Sequence, residues 1–536
     1  MSEARPGRAA TAFYLRSLPA TVLAFAAGAL GVAGFAPAGI ATLGIAAPAL
    51  LFFLWERAAS PRRAAMTGFA WGLGFFGAGV SWVYVSLHDI GMMPAPLAAL
   101  ATLLFCCVLA LYPATVGYVQ ARLRAPAPEP GHPSGDASQP SRVAPDFVVS
   151  ALAVPALWTL SEWLRSWIFT GFPWLTLGYA QSDTPLAGFA PIAGVYGVSL
   201  AAALVAALAS VALGAQRGSA HAPLHRWAAL GGIAALYATG FALQGIAWTN
   251  PAGPAVSVAL AQGNVPQSLK FEPGRFESTL ATYRRLVASG TAQLTVLPET
   301  AIPRFLDLVP VEHINAFEAL ARERQGNLLV GVPRRTGNDE YTNSVVSVGT
   351  APRQAYAKSH LVPFGEFIPP GFGWILGLLH IPLSDFSAGP ERARPFDLGP
   401  NLRVAVNICY EDAFGSEIAR QLPEATVLVN ASNVAWFGDS LAPDQHLQIS
   451  RLRAMETGRP MLRATNTGAT AIIDERGRVV SRLPAFTEGL LQGSVQPQEG
   501  STPYVRLLDR PVVALCLIVV AGIVSARRRE RELKGS

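Results

Sequence analysis

Among the residues of this 536-residue chain, Cys409 is the one whose surroundings best suit covalent chemistry. Cys106, Cys107 and Cys516 fall in apolar runs, which leaves Cys409 as the only thiol of the polar part, with no disulfide partner there. A single cysteine is read either as a small buried hydrophobe or as a nucleophile. Here the β-branched run Arg403-Val-Ala-Val-Asn-Ile408 ends at Cys409 and Tyr410-Glu411-Asp412 follow, so the thiol stands where a predicted strand opens into a cleft. Such a nucleophile needs a base and a group that holds an oxyanion. Glu299, after Leu294-Thr-Val-Leu297 and Pro298, is a candidate base, because partial desolvation raises a carboxyl pKa toward neutrality. The competing reading is a surface turn residue. Lys358 is a candidate for the fixed positive charge, against the reading of a solvated lysine. A second thiol route would pair Cys409 with His360 or His446. His313, His360, His380 and His446 lack metal-ligand spacing, and neither a metal nor an organic cofactor is expected.

The elements that must position these residues divide sharply by polarity. Half the chain is hydrophobic and only 14% is charged, too apolar for an ordinary soluble multidomain protein. The net charge is +6, but the basic residues sit in short clusters beside apolar runs, which argues against a nucleic-acid partner. Runs long enough to cross a bilayer lie near 17–35, 38–55, 66–87, 96–120, 148–169, 188–213, 227–248 and 510–526, predicting about eight spans. Arg5, Arg8 and Arg16, then Arg57, Arg62 and Arg63, then Arg122, Arg124 and Arg142, then Arg217 and Arg226 occupy alternate loops. The loops near 34–40, 86–95 and 170–187 contain neither Lys nor Arg. The positive-inside rule then puts both termini in the cytoplasm, with Arg527-Arg528-Arg529 as a further marker, and the polar segment outside. The predicted division is a membrane domain at 1–248, an extracytoplasmic domain at 249–507 and a last span with a basic tail at 508–536. The first run, followed by Phe35-Ala36-Pro37-Ala38, has a second reading as a cleaved signal peptide. The Pro-, Gly- and Ser-rich stretch 125–145 reads as a cytoplasmic linker loop.

Within the polar segment, strand-like runs alternate with helical patterns. Strands are predicted at Val256 to Leu260, Leu294 to Leu297, Leu328 to Val332, Ser344 to Val348, Val404 to Ile408 and Thr426 to Val429. A hairpin is expected from 469–473 and 478–482, and helices over 275–289 and 311–325. The fold class expected is α/β, two sheets sandwiched between helices.

Taken together, Leu297-Pro-Glu-Thr300, Lys358 with Phe364-Gly-Glu-Phe367, and Asn407-Ile-Cys-Tyr-Glu411 resemble the Glu-Lys-Cys triad of the nitrilase superfamily. With the apolar runs, Gln262-Gly-Asn-Val-Pro-Gln267, Ser161-Glu-Trp-Leu-Arg165 and Phe172-Pro-Trp174, nearly the whole chain resembles the bacterial apolipoprotein N-acyltransferases. The resemblance implies an α-β-β-α nitrilase-like domain with Glu299 as base, Lys358 at the oxyanion and Cys409 as the thioester-forming nucleophile. It also implies that the Tyr410 N–H is a second oxyanion donor and that Glu366 and Glu411 fix Lys358 and shape the pocket. Phe271 departs from the pattern, standing where some relatives carry Trp. The implied reaction is ping-pong. A phospholipid, typically phosphatidylethanolamine, acylates the thiol, and the N-terminal amine of a diacylglyceryl-cysteine lipoprotein takes the acyl chain. The implied location is the bacterial inner membrane, with the catalytic domain in the periplasm.

Three further features bear on lipid access. The greasy stretch Phe372-Gly-Trp-Ile-Leu-Gly-Leu-Leu379, with Trp374, reads either as an arm dipping to the membrane or as buried core. Trp436 and Phe437 are candidate lid residues, with the same alternative. Glu162 and Arg165, three apart in the fifth run, read either as a structural pair or, through Arg165, as a lipid-phosphate contact. The enzymatic rival is a membrane-tethered amidase or nitrilase that passes the acyl group to water. A transporter would call for paired broken helices and more charges within the spans.

Overall fold

The computed structural model describes residues 19–124, 147–214, 222–337, 340–369, 371 and 385–535. The arm candidate 372–379 with Trp374, and the whole linker stretch 125–145, lie outside the described residues.

Each of the eight apolar runs is helical. They form α1 (Ala20–Gly31), α2 (Ala41–Glu56), α3 (Pro61–Gly79) continuing into α4 (Trp82–Val85), and α5 (Ala95–Leu123). Then come α6 (Val154–Arg165), α7 (Ala190–Gly214) and α8 (Ala222–Gln244). Among the described residues, four helices are long and apolar enough to cross a membrane: Ala95–Leu123, Pro185–Gly214, Pro223–Gln244 and Arg510–Leu533. A fifth results if Pro61–Gly79 and Trp82–Ile90, bent by 50°, count as one span. The helices α1 and α2 are apolar but shorter than these, and α6 has 12 residues. Within the bundle, aromatic rings mesh edge to face, with the Trp71 and Trp158 centroids 5.4 Å apart and Phe52 against Trp158 at 5.6 Å.

The polar segment is built from two six-stranded sheets. The first has the order β13-β2-β3-β4-β5-β6 and the second β12-β11-β10-β9-β8-β7. The first comprises β2 (Val256–Gln262), β3 (Leu294–Val296), β4 (Asn327–Arg335), β5 (Tyr341–Gly349), β6 (Ala355–Ala357) and β13 (Gly489–Val495). The second comprises β7 (Phe396–Asp397), β8 (Arg403–Ile408), β9 (Val427–Ser432), β10 (Met461–Thr465), β11 (Ala471–Ile473) and β12 (Val479–Arg482). A two-stranded ribbon of β1 (Thr249–Pro251) and β14 (Gln498–Gly500) ties the ends of the segment together.

Strand alternation explains the layering. Val404, Val406 and Ile408 of β8 pack with Leu260, Val296 and Leu329 in the core between the sheets. Ala405, one residue out of phase, faces the helix side with Leu447 and Ala454. Outside the first sheet lie α9 (Phe276–Ser289) and α10 (Val311–Glu323), whose Leu280, Tyr283 and Phe317 cover Leu328 and Val330. The short α11 (Gly415–Ile418) and the long α12 (Ala442–Thr457) cover the second sheet. This is the expected α-β-β-α sandwich. The chain then returns through α13 (Pro503–Leu507) to the final apolar helix α14 (Arg510–Gly535).

Helix α12 also docks the sandwich on the bundle. The Trp174 indole donates to Gln445 Oε1 at 2.7 Å, and Gln445 Nε2 donates to the Gly79 carbonyl at 3.2 Å. The Ala36 N–H donates to Gln448 Oε1 at 3.2 Å, and the Val195 N–H to Glu456 Oε1 at 2.6 Å. Glu456 is also paired with Arg453 at 2.9 Å, and both side chains are buried. With one face on the sheet and the other on the bundle, α12 is buried on almost every side.

Candidate active site

Glu299, Lys358 and Cys409 lie far apart in sequence and meet at one end of the sandwich. Lys358 directly follows β6 and Cys409 directly follows β8, while Glu299 comes after β3, beyond Leu297 and Pro298. All three are buried. The Cys409 backbone sits at φ 52°, in the left-handed region that an L residue avoids, so the chain turns sharply there from strand into the short helical turn Cys409–Ala413. Thr300, beside the base, has φ 49°.

Each carboxylate is held by donors from another element. Asn343 Nδ2 donates to Glu299 Oε1 at 2.7 Å and to Glu366 Oε1 at 2.9 Å, so one amide spaces the two acids. The Asn433 N–H donates to Glu299 Oε2 at 2.8 Å. Lys358 Nζ lies 2.7 Å from Glu366 Oε2, which also accepts from the Val362 N–H at 2.9 Å. Burial alone would drive the Lys358 ammonium toward neutrality, but the Glu366 and Glu299 carboxylates override it and hold the lysine firmly protonated. The Cys409 thiol is pushed up to about 12 by burial and by the Glu299 charge, partly opposed by Lys358. At neutral pH it is therefore a thiol, and attack requires proton removal as the sulfur–carbon bond forms.

Glu411 works differently from the expectation that it fixes Lys358. Its carboxylate accepts from the Tyr356 hydroxyl at 2.8 Å, the Ser359 N–H at 2.7 Å, the His360 N–H at 3.1 Å and the Ile408 N–H at 2.7 Å. It thus ties the Tyr356 side chain, before Lys358, and the backbone just after Lys358 to the strand that carries Cys409. Burial raises its pKa, against the pull of Lys358 and these donors.

Neither histidine is placed as a protease-type partner. His446 Nε2 lies 2.6 Å from Asp412 Oδ1 and 3.2 Å from the carbonyl of Cys409, and His360 Nδ1 lies 3.0 Å from Glu417 Oε1. Burial and the Arg463 charge lower the His446 pKa. Asp412 also accepts from Arg463 Nη1 at 2.9 Å, and the Asn430 amide donates to the Cys409 carbonyl at 3.0 Å. This buried network holds the turn from the main-chain side. Asn343, Asn433, Asp412 and Arg463 carry no spacing that marks them in the sequence; they become legible only once the strands are paired.

The bundle reaches the same turn. The Tyr410 hydroxyl donates to the Gly171 carbonyl at 3.0 Å, and its ring lies 6.4 Å from that of Trp174. Phe437 packs at 4.8 Å from Trp82, while Trp436 is half-buried and its carbonyl accepts from the Ser86 hydroxyl at 2.7 Å. Both candidate lid residues therefore rest on α4 and its continuation. Glu162 and Arg165 are buried and bond the loop that follows α6 separately. Arg165 Nη1 donates to the Phe172 and Trp174 carbonyls at 2.5 Å, and Glu162 Oε1 accepts from the Leu177 N–H at 2.9 Å. The Arg165 guanidinium also donates to the Thr176 hydroxyl at 3.4 Å.

Gly331 in β4 shows how tightly the base is seated. A Cβ there would stand 2.2 Å from the Pro298 carbonyl, 2.7 Å from the Thr300 nitrogen and 2.8 Å from the Glu299 Cα. All three are backbone atoms, so no side chain can yield. Gly331→Ala is expected to lose about 1–3 kcal/mol of stability. It should also slow catalysis about tenfold or more by displacing Glu299. Thermal unfolding and an acylation assay on the same sample check both.

Residues 27–208 match the family model described as Apolipoprotein N-acyltransferase N-terminal domain, and residues 257–504 match that described as Carbon-nitrogen hydrolase. A Nitrosomonas europaea protein named Apolipoprotein N-acyltransferase is 48% identical over 513 residues, covering 94% of this chain and 97% of that one. The chain belongs to the apolipoprotein N-acyltransferase family. Two other apolipoprotein N-acyltransferases have similar reach. That of Ralstonia nicotianae is 44% identical over 95% of this chain and 94% of its own. That of Methylococcus capsulatus is 43% identical over 96% and 97%. In this apolipoprotein N-acyltransferase family member, Glu299, Lys358 and Cys409 all lie inside the carbon-nitrogen hydrolase match, and Glu162 and Arg165 inside the N-terminal one.

Proposed function

We propose that the chain is a phospholipid-to-lipoprotein N-acyltransferase in which Glu299, Lys358 and Cys409 are catalytic. The observation that carries this reading is a buried thiol beside a carboxylate and a protonated lysine, in a sandwich docked on apolar helices. In the first half-reaction the Cys409 proton passes to Glu299 as sulfur attacks an ester carbonyl of the donor. Lys358, aided by the Tyr410 N–H, stabilises the oxyanion. Collapse breaks the ester C–O bond, the proton goes from Glu299 to the departing lysophospholipid oxygen, and an acyl thioester remains. In the second, the N-terminal amine of a diacylated lipoprotein attacks the thioester. Glu299 takes the amine proton and returns it to the sulfur as the C–S bond breaks, which regenerates the thiol and leaves an amide.

Both substrates are held by acyl chains, so a site at the bilayer face turns a three-dimensional encounter into a confined one. Phosphatidylethanolamine is the proposed donor. The eight helical runs are proposed as spans or partial spans of the bacterial inner membrane, with residues 249–507 as the periplasmic catalytic domain and both termini cytoplasmic. Glu366 and Glu411 are proposed as positioning residues, and Phe437 and Trp436 as the floor of the lipid entrance. Trp374 is retained as a candidate lipid contact on the sequence alone. Glu162 and Arg165 are proposed to brace the outer loop beneath Tyr410.

Intact mass spectrometry after incubation with phosphatidylethanolamine, then with a diacylated lipopeptide, tests the reading, with Cys409→Ala as the blank. Expected is a hydroxylamine-labile acyl mass on the wild type alone, discharged onto the peptide amine. Discharge to water alone would make the protein a hydrolase, and an equal adduct on the Cys409→Ala blank would remove the thiol from the mechanism.

A further inference from the structure

A row of buried polar side chains crosses the second sheet behind the nucleophile. Asn407 of β8, Asn430 of β9 and Arg463 of β10 stand in register on three adjacent strands, and all three are buried. Asn407 shares the strand face of Ala405, toward α12. The hydrogen bonds of the row fix which way each amide points. Arg463 Nη1 can only donate, and it lies 2.9 Å from Asn430 Oδ1, so the Asn430 nitrogen faces the other way. That nitrogen donates to Asn407 Oδ1 at 2.6 Å and to the Cys409 carbonyl at 3.0 Å. Asn407 Nδ2 in turn donates to the Val429 carbonyl at 3.0 Å. From α12, His446 Nε2 reaches the same Cys409 carbonyl at 3.2 Å and is itself held by Asp412. An apolar row would fill this space without the cost of burying polar groups. The polar row converges on one main-chain oxygen, that of the nucleophile, whose backbone is kept at φ 52°.

We propose that Asn430, oriented by Arg463 and Asn407 and assisted by His446, is a positioning residue that aims the Tyr410 N–H at the oxyanion. This rests on the reaction proposed above. The peptide between Cys409 and Tyr410 is planar and trans, so its C=O and N–H point in opposite directions. Donors that draw the carbonyl toward the α12 side turn the N–H away from it, and any rotation of the plane swings both bonds together. Donation to the carbonyl also polarises the peptide and strengthens its N–H as a donor. A donor stabilises an oxyanion only when it is aimed where the charge develops. The row therefore acts on acylation through the main chain, from behind the sheet.

The test compares two reactions of Cys409 on the same samples. Thioester formation, read by intact mass at saturating phosphatidylethanolamine in detergent micelles, passes through an oxyanion. Alkylation by iodoacetamide, read by peptide mass, displaces iodide at a saturated carbon and does not. Asn430→Leu keeps a side chain of similar shape and removes the donor. It should slow thioester formation by about 10–10²-fold, with the Michaelis constant for lipid and the alkylation rate close to wild type. A merely structural asparagine would slow both reactions together by misplacing the sulfur. His446→Phe should show the same split in smaller degree, because its N–H is shared with Asp412, and His446→Gln, which returns an N–H donor, should recover the rate. Melting temperature screens for folding, and the two His446 variants decide if Asn430→Leu does not fold. Equal losses in both reactions, no loss in either, or equal acylation of His446→Phe and His446→Gln overturns the proposal. Wild-type protein that is alkylated but forms no thioester overturns the reaction itself, a result distinguishable from the others.

Discussion

Glu299→Gln is expected to slow thioester formation by about 10²–10⁴-fold while making Cys409 more reactive toward iodoacetamide. The two effects run in opposite directions for one reason. The Glu299 carboxylate is the proton acceptor during attack, and its negative charge is also part of what holds the thiol up at about 12. Glutamine removes the acceptor and the charge together, so the resting thiolate fraction rises although concerted proton removal is gone. The amide keeps the shape of the side chain, but one of the Asn343 and Asn433 donors loses its oxygen acceptor, so a small loss of stability is also expected. Parallel rates of lipid acylation and of Cys409 alkylation, the latter by peptide mass, check the pair. If both rates fell together, Glu299 would be a scaffold residue instead of the base.

Lys358→Met should cost about 10²–10³ in rate by removing the cation at the oxyanion. It should also destabilise the fold by about 3–5 kcal/mol, because Glu366 is left as a buried carboxylate without its counter-ion. The cost to stability is separable from the cost to rate. In Lys358→Met/Glu366→Gln the stranded charge is gone, so most of the lost melting temperature should return while acylation stays at the level of the single variant. Recovery of activity in the double variant would show that the lysine matters only as a partner for Glu366.

Glu299 and Cys409 were legible because each comes after an apolar, β-branched run that reads directly as a strand, with Val404, Val406 and Ile408 leading to Cys409, whereas Lys358 was legible only through the sequence around it. Strands β6, β10 and β13 were not anticipated, since Ala355–Ala357 is too short to show alternation and Gly489–Val495 mixes glycine and polar residues with few apolar ones. Helix α12 escaped notice for a different reason. Sandwiched between sheet and bundle, it has no solvent face, and His446, Arg453 and Glu456 are as buried as Leu452, so no apolar stripe develops. The lengths of the apolar helices are less directly legible. Hydropathy detects the apolar runs but not the break after Gly79 or the short reach of α1 and α2, which depend on how the helices pack.

The docking of α12 bears on how the protein comes into being. The loop after α6 that steadies Tyr410 belongs to the bundle, and its Trp174 partner, Gln445, is synthesised some 270 residues later. Until the late segment has folded back onto the bundle, Phe414, Phe437 and Tyr410 lack their apolar cover and the Cys409 turn lacks its brace. The turn that carries the thiol is thus completed only when the first and last thirds of the chain have met.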